Sequence, residues 1–391
     1  MSNSALVSII IPTKNRCELL RETLASVQAQ TYPHWEAIVV DDGSTDGTEE
    51  LVQSMAVVEK RIRFVRRERN PSGAPTCRNI GLALSKGECV LFLDSDDLLS
   101  PSCLELRIQA LEANPDLMYV VGEAERFNYF PGDVRIIFGN GDERYDLVRS
   151  LCMHYPWQTA GSLWRRQIFD IVGNWDESLE IGQDVELITR ILMHKLPYQR
   201  LHQRDYFYRQ NPDGLGGGNE KLEKQTSHLR RIKRFCELLE SRGLLYSRIR
   251  TIVAGNYLWI AQNFASAGKF SEAIATWKEA KNRQLVNKLY YTIGCFLLHA
   301  IRKGYIKVIA PTITLTLPRG FLINPECSNM SQRFVDNSGQ YRPVHYIQNM
   351  RGYISNGEFN YWHWSSYPLR RLYRLLFGVK LGRISHKKNN A

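Results

Sequence analysis

The chain has 391 residues, 43% hydrophobic and 23% charged, which supplies apolar material for one large core or two ordinary ones and excludes a chain that stays disordered. Its net charge of +11 hides a division: residues 1–219 hold 23 Lys and Arg against 31 Asp and Glu, a net of −8, and residues 220–391 hold 28 against 9, a net of +19. The first part is therefore suited to hold a cation and the second to meet an anionic partner. The 8 Cys never fall at CxxC spacing, which argues against a dense disulfide framework and a zinc site and for free thiols in a reducing compartment.

The opening MSNSALVSIIIPTKNR lacks a basic n-region, and its apolar run leads into Pro12 without a cleavage site, so it reads as a first buried strand rather than a signal peptide. No stretch reaches the ~18 apolar residues of a spanning helix; Leu289 to Ile301 is too short. The expectation is a cytoplasmic protein, soluble or peripheral on the inner face of the membrane.

Residues 7–11 (VSIII) form a β-branched run that suits a buried parallel strand. Leu19, Leu20, Leu24 and Val27 share one face of a predicted helix over 17–30, which Tyr32-Pro33 stops. Residues 36–40 (EAIVV) predict a second strand, ending in DDGSTDGT, a cluster of turn formers and helix caps. A helix over 47–58, a strand over 62–65, a helix over 76–85 and a strand over 89–93 (CVLFL) follow, the last ending in DSDD. Strands alternating with helices predict an α/β fold, a Rossmann-like, mostly parallel sheet with helices on both faces. Ligands in such sheets lie beyond the carboxyl ends of the strands, where PTKNR, DDGSTD and DSDD all fall.

Val185, Ile188, Ile191 and Leu192 mark a helix that opens at Gln183-Asp184. The Gly-rich stretch 211–219 suggests a boundary, giving a donor domain over 1–215, a helical region over 216–305 and a basic region over 306–391. In the helical region, Tyr257, Ile260, Ala261, Phe264, Ala273, Trp277 and Ala280, with Gly268 near a turn, match one tetratricopeptide-type hairpin. Residues 308–366 read as irregular or β-rich. Residues 367–384 form a basic amphipathic segment, and no acid follows Glu358. Such a segment suits an anionic membrane surface; no nucleic-acid-binding module is apparent.

Three carboxylates in DSDD (Asp94, Asp96, Asp97) repel one another at a strand end unless a positive group sits there. Hard oxygen ligands suit Mn²⁺ or Mg²⁺, which also bind phosphate oxygens and would neutralise a departing diphosphate. In DDGSTDGT, Asp46 or Ser44 can cap the next helix alone, leaving Asp42 as a candidate to accept from a base N–H or a ribose hydroxyl. Asp184 opens an amphipathic helix, whose N-terminus is expected to keep it ionised.

VSIIIPTKNR, QTYP, VVDDGSTDGT, CRNIGL, LFLDSDDLLSP and GQDVELITR occur in that order over about residues 5–210, and the set resembles glycosyltransferase family 2. The resemblance implies a GT-A fold, an inverting transfer from a nucleotide-sugar donor, a UDP-sugar in the first instance, and a saccharide or lipid-linked saccharide acceptor. It implies a donor-binding set of Pro12, Thr13, Asn15, Arg16, Asp41, Asp42, Arg78, Asp94 and Ser95. The metal falls to Asp96 with Asp94, and Asp184 is the catalytic base. Trp157, Gly161, Ser162 and Gln183 are candidates for the acceptor side by position, core packing being the alternative for Trp157 and Trp164. The family commonly has Glu-Asp where this chain has Gln183-Asp184, and an aromatic where it has Lys14. A late His, here His202, helps bind metal in some related enzymes. Cell-surface polysaccharide or lipopolysaccharide assembly is the implied setting. Two other readings differ in class: a catalytically impaired scaffold acting through its helical half, motivated by Gln183, and a sugar-nucleotide pyrophosphorylase, which wants a Gly-rich phosphate loop that PTKNR does not supply.

Overall fold

The computed structural model describes residues 5–134, 136–139, 141, 143–152, 155–210, 222–304, 332–335 and 341–343. The chain opens with β1 (Val7–Thr13), α1 (Cys17–Gln28), β2 (Trp35–Asp41), α2 (Thr48–Val58), β3 (Ile62–Arg66), α3 (Ala74–Leu84) and β4 (Cys89–Phe92). These agree with the predicted elements to within two residues at each end. A short β5 (Leu98–Leu99) and α4 (Cys103–Ala113) lead to β6 (Tyr119–Phe127) and β7 (Ile136–Phe138). Next come α5 (Asp146–Leu151), β8 (Ser162–Arg165), α6 (Ile168–Val172), α7 (Gln183–Met193) and β9 (Tyr198–Arg209).

β4, β1, β2 and β3 lie side by side and parallel. Beyond β4 the sheet turns mixed: β8 is antiparallel to β4 and β6, while β9 runs parallel to β6 and antiparallel to β5. Alternation along the parallel strands builds two layers. Val7, Ile9 and Ile11 of β1 pack with Leu20, Leu24 and Val27 of α1 on one face. Ile10 points the other way, into the layer that holds Leu82 of α3, Phe169 of α6 and Leu187 and Ile191 of α7. Each such fully buried side chain contributes about 1.5–3 kcal/mol. Gly81 sits over Ile10, and a Cβ there would come within 2.4 Å of Ile10 Cγ2. Its lack of a side chain brings α3 close onto β1, and Arg78 stands one turn earlier on that helix.

The C-terminal region is helical as predicted: α8 (Leu222–Ser241), α9 (Ser247–Ser266), α10 (Phe270–Asn282) and α11 (Lys288–Arg302). Tyr257, Ile260, Ala261, Phe264, Ala273, Trp277 and Ala280 are all buried in one core, and the chain turns at Gly268 between α9 and α10. The hairpin has the neighbours it needs: Trp277 Nε1 donates to the Tyr291 carbonyl of α11 at 2.9 Å.

The expected break at 211–219 falls outside the described residues, but the parts on either side pack together. Arg234 of α8 pairs with Asp176 at 2.8 Å, Arg230 donates to the Ser178 carbonyl at 3.1 Å, and Asn256 of α9 donates to the Leu151 carbonyl at 2.7 Å. These contacts join α8 and α9 to the donor domain. The physical reason is charge, because basic side chains of α8 meet acidic and carbonyl oxygens of 176–186. Within 308–366, β10 (Gln332–Val335) and β11 (Tyr341–Pro343) extend the sheet from β7, both antiparallel. The basic segment 367–384 lies outside the described residues. Among those that are described, no helix is long and apolar enough to cross a membrane.

Candidate active site

The parallel register sets the carboxyl ends of β4, β1 and β2 beside one another, and the loops that leave them are tied together. Asn15, in the left-handed region at φ 50°, donates its N–H to Ser44 Oγ at 2.8 Å and accepts the Thr45 N–H at 2.8 Å. Asp46 accepts the Cys17 N–H at 3.0 Å and the Thr48 hydroxyl at 2.5 Å, so one carboxylate serves the first turns of both α1 and α2. Asp41 is fully buried, and its oxygens accept from the Gly43 and Ser44 amides and from the Ser44 hydroxyl. That geometry makes Asp41 an organiser of its own loop. Pro12 and Thr13 are also buried, as the last residues of β1.

Asp42 faces a different way. Arg67 Nε donates to Oδ1 at 2.5 Å, the Gly73 N–H to the same oxygen at 3.0 Å, and Lys14 Nζ stands 3.6 Å from Oδ2. Burial works against its charge, but Gly73, Arg67 and Lys14 outweigh it and hold the carboxyl below the usual range. Lys14 is thus paired with the aspartate of the base-binding candidate. Arg67 and Gly73 were not singled out in the sequence, since no motif marks them.

At the end of β4, Asp94 Oδ1 accepts from Arg78 Nη2 at 2.5 Å, and the Arg78 guanidinium lies 4.3 Å above the Trp175 ring. Arg78 is buried, and its Nε and Nη1 have no hydrogen-bond partner among the described residues. Arg16 Nη1 lies 2.8 Å from Asp96 Oδ2. Ser95 and Asp97 are buried; Asp97 accepts the Arg209 N–H at 2.9 Å, and Arg209 Nε donates to the Asp96 carbonyl at 2.9 Å. Burial, with Asp94 adding and Arg16 opposing, pushes the Asp96 carboxyl up.

Among the described residues, no group of three or more His, Cys, Asp or Glu is placed to cage a metal. Asp94 and Asp96 do fit a smaller role. They are two hard carboxylates whose mutual repulsion a cation relieves, and Mg²⁺ or Mn²⁺ typically takes one or two carboxylates and completes its shell with water and substrate phosphate. His202 does not join them. It stands near the start of β9, exposed, 3.4 Å from Glu123, whereas Arg209 at the other end of that strand is the residue that meets Asp96 and Asp97.

Asp184 enters from α7. Gly182 precedes the helix at φ 66°, its carbonyl accepts the Glu186 N–H at 3.0 Å, and Asp184 Oδ1 accepts the Val185 N–H at 2.8 Å. The carboxyl is half-buried beside Gln183. Burial pushes it up, Asp94 adds, and the Val185 amide, Arg78 and Arg231 oppose. The Val185 amide contact at the helix end favours the charged form, and burial works against it. Tyr155, whose phenol is pushed up chiefly by the Asp184 charge, and Tyr208 also face this carboxylate.

The acceptor candidates upstream of Asp184 do not reach it. Trp157 is fully buried among Tyr119, Tyr198 and Arg200. Ser162 is fully buried at the start of β8, and a Cβ on Gly161 would meet the Tyr206 hydroxyl at 2.9 Å. These three, with Trp164 against Tyr119, are core. They are corrected as acceptor contacts because no surface of theirs is open to a ligand; Gln183 is the candidate that stays beside the site.

Residues 8–157 match the model of glycosyl transferase family 2. Over those residues the chain is similar to family 2 glycosyltransferases. Over 104 residues it is 43% identical to TuaG of Bacillus subtilis, a glycosyltransferase named for teichuronic acid biosynthesis, covering 27% of this chain and 41% of that one. Over 135 residues it is 33% identical to the glycosyltransferase GlyG of Streptococcus pneumoniae, covering 34% of this chain and 44% of that one. The chain thus spans less than half the length of these two relatives. The crystal structure of residues 1–349 of TarS from S. aureus, in complex with UDP-GlcNAc, superposes with a TM-score of 0.54 at 16% identity, over 77% of this chain and 91% of that one. The likeness shows the fold, which is GT-A in type.

Proposed function

We propose that this glycosyltransferase-family chain moves a sugar from a nucleotide diphosphate donor, a UDP-sugar, to a hydroxyl of a saccharide or lipid-linked saccharide, inverting the anomeric centre, in the assembly of a cell-surface polysaccharide. One observation carries the reading: Arg78 pairs with Asp94, Arg16 pairs with Asp96, and Arg78 and Asp94 both act on the Asp184 carboxyl, while Asp42 follows β2 in the same parallel sheet. The UDP-GlcNAc bound to TarS supports the choice of base, and the name of TuaG supports the setting.

Asp42 accepts from the nucleotide base, with Arg67 and Gly73 fixing its orientation. Arg78 and Arg16 bring positive charge to the diphosphate side. A divalent ion, Mn²⁺ or Mg²⁺, held by Asp96 and Asp94, would supply Lewis-acid neutralisation of the leaving diphosphate. Asp184 takes the acceptor proton: the Val185 amide engages Oδ1, which leaves Oδ2 to receive it. The acceptor oxygen then bonds to the anomeric carbon as the carbon–oxygen bond to the diphosphate breaks, and the electron pair leaves with the nucleoside diphosphate. The basic segment 367–384 would hold the enzyme on an anionic inner-membrane surface near a lipid-linked acceptor.

A thermal-shift panel of UDP-, GDP- and dTDP-sugars with Mn²⁺ tests the reading, because a ligand that binds only the folded state raises apparent stability. A UDP-sugar that stabilises the protein and releases UDP on turnover is expected. No stabilisation and no turnover with any of them refutes the enzyme. Deletion of 367–391 should release the protein from anionic vesicles, and equal binding after deletion refutes the membrane contact.

A further inference from the structure

The basic helix α8 reaches the turn from which Asp184 projects. Arg231 is 2% exposed, and its Nη1 donates to the Gly182 carbonyl at 3.2 Å while Nη2 meets His228 Nδ1 at 2.8 Å. The Gly182 carbonyl is also the acceptor of the first hydrogen bond of α7, from Glu186 at 3.0 Å. The packing is close: a Cβ on Gly182 would fall 1.7 Å from Arg231 Nη1, and the positive φ of 66° already favours glycine. Neighbouring turns of α8 brace the same segment, Arg234 to Asp176 and Glu186 and Arg230 to Ser178.

We propose that Arg231, supplied by the helical region, is a positioning residue for Asp184: it pins the Gly182 turn and sets a fixed positive charge beside the carboxylate. The proposal rests on Asp184 being the base. It explains why the helical region is joined so tightly to the donor domain, since without α8 that turn loses its clamp and one of the two cations that act on Asp184. Among the described residues, Arg78 from α3, Asp94 after β4 and Arg231 from α8 act electrostatically on Asp184, and Tyr155 before β8 and Tyr208 from β9 feel its charge. Glu186 on α7 and His228 on α8 act on Arg231 in turn. Two of the five are cations. Losing Arg231 leaves the Val185 amide and Arg78 against burial and Asp94, so the carboxyl would hold its proton to higher pH.

The test uses the full chain, water as the acceptor, and release of nucleoside diphosphate from the donor that the thermal-shift panel selects. In Arg231→Met the acid limb of the kcat profile should move up by about one pH unit, with kcat on that limb down about tenfold and donor KM unchanged. Arg231→Lys, which keeps the charge, should keep the limb near its original place. Arg231→Gln can still reach Gly182 without the charge; should Arg231→Met not fold, the same upward shift is expected of Gln. An unmoved acid limb in the neutral variants, or a loss of kcat without a shift, overturns the proposal. Asp184→Asn separates the two levels. If it loses turnover while Arg231→Gln behaves as wild type, only the Arg231 role fails. If it turns over normally, or if the panel selects no donor, the reading of the base fails and the proposal with it.

Discussion

Arg78 Nη2 donates to Asp94 Oδ1 at 2.5 Å, and the same guanidinium is one of the two cations that face Asp184. One buried side chain on α3 thus acts on both Asp94 and Asp184. Replacing it with Met leaves Asp94 without its charge-assisted partner, a bond worth roughly 1.5–3 kcal/mol. Donor affinity in Arg78→Met should fall about 10- to 100-fold by calorimetry, and Arg78→Lys should recover only part, since a point charge does not reproduce the planar fork over Trp175.

Asp96 and Asp94 are the residues proposed to hold the ion. Asp96→Asn should abolish the extra thermal stabilisation that Mn²⁺ gives in the presence of donor, while the metal-free protein keeps or gains stability because a buried, repelled carboxyl is removed. An unchanged Mn²⁺ response would take Asp96 out of the metal site.

Asp184→Asn keeps the Val185 amide contact but cannot take a proton. Turnover should drop about 10²- to 10⁴-fold, the usual contribution of a general base, with donor binding intact in the thermal-shift assay. Normal turnover would place the base elsewhere.

Asp42 carries a pH signature of opposite sign to the buried carboxyls. Its folded value lies below the ordinary carboxylate value, so its contribution to stability is fully present above the unfolded value and is lost as pH falls through the folded one. Urea midpoints of wild type and Asp42→Asn should differ at neutral pH and converge as the pH falls below the ordinary carboxylate range. A constant gap down to acid pH would show that the ion pair with Arg67 is not the source.

Trp157 distinguishes core from acceptor site. Trp157→Ala should cost about 3–5 kcal/mol of stability, and Trp157→Phe should lower the melting temperature while leaving KM for a saccharide acceptor unchanged. A raised acceptor KM in the Phe variant would return Trp157 to the site.

Much of the donor half was legible in the linear chain. β-branched runs, a helical period between them and polar clusters at the strand ends follow from local geometry, and β1 to β4 appear within two residues of where the pattern put them. The hairpin of α9 and α10 was readable for the same reason, because its apolar period is local. What pattern could not separate was a buried aromatic from an exposed one. Trp157 and Ser162 sit near the motifs in sequence, yet β8 is inserted antiparallel between β4 and β6, and that non-local pairing buries them. The sequence alone thus determined the order of motifs that resembles the family and the alternation that builds the sheet. Only the tertiary structure decided the electrostatic partners of the carboxylates (Arg67 and Gly73 for Asp42, Arg16 for Asp96, Arg78 and Arg231 around Asp184), because charge interactions depend on through-space distance and burial, and neither is written in spacing along the chain.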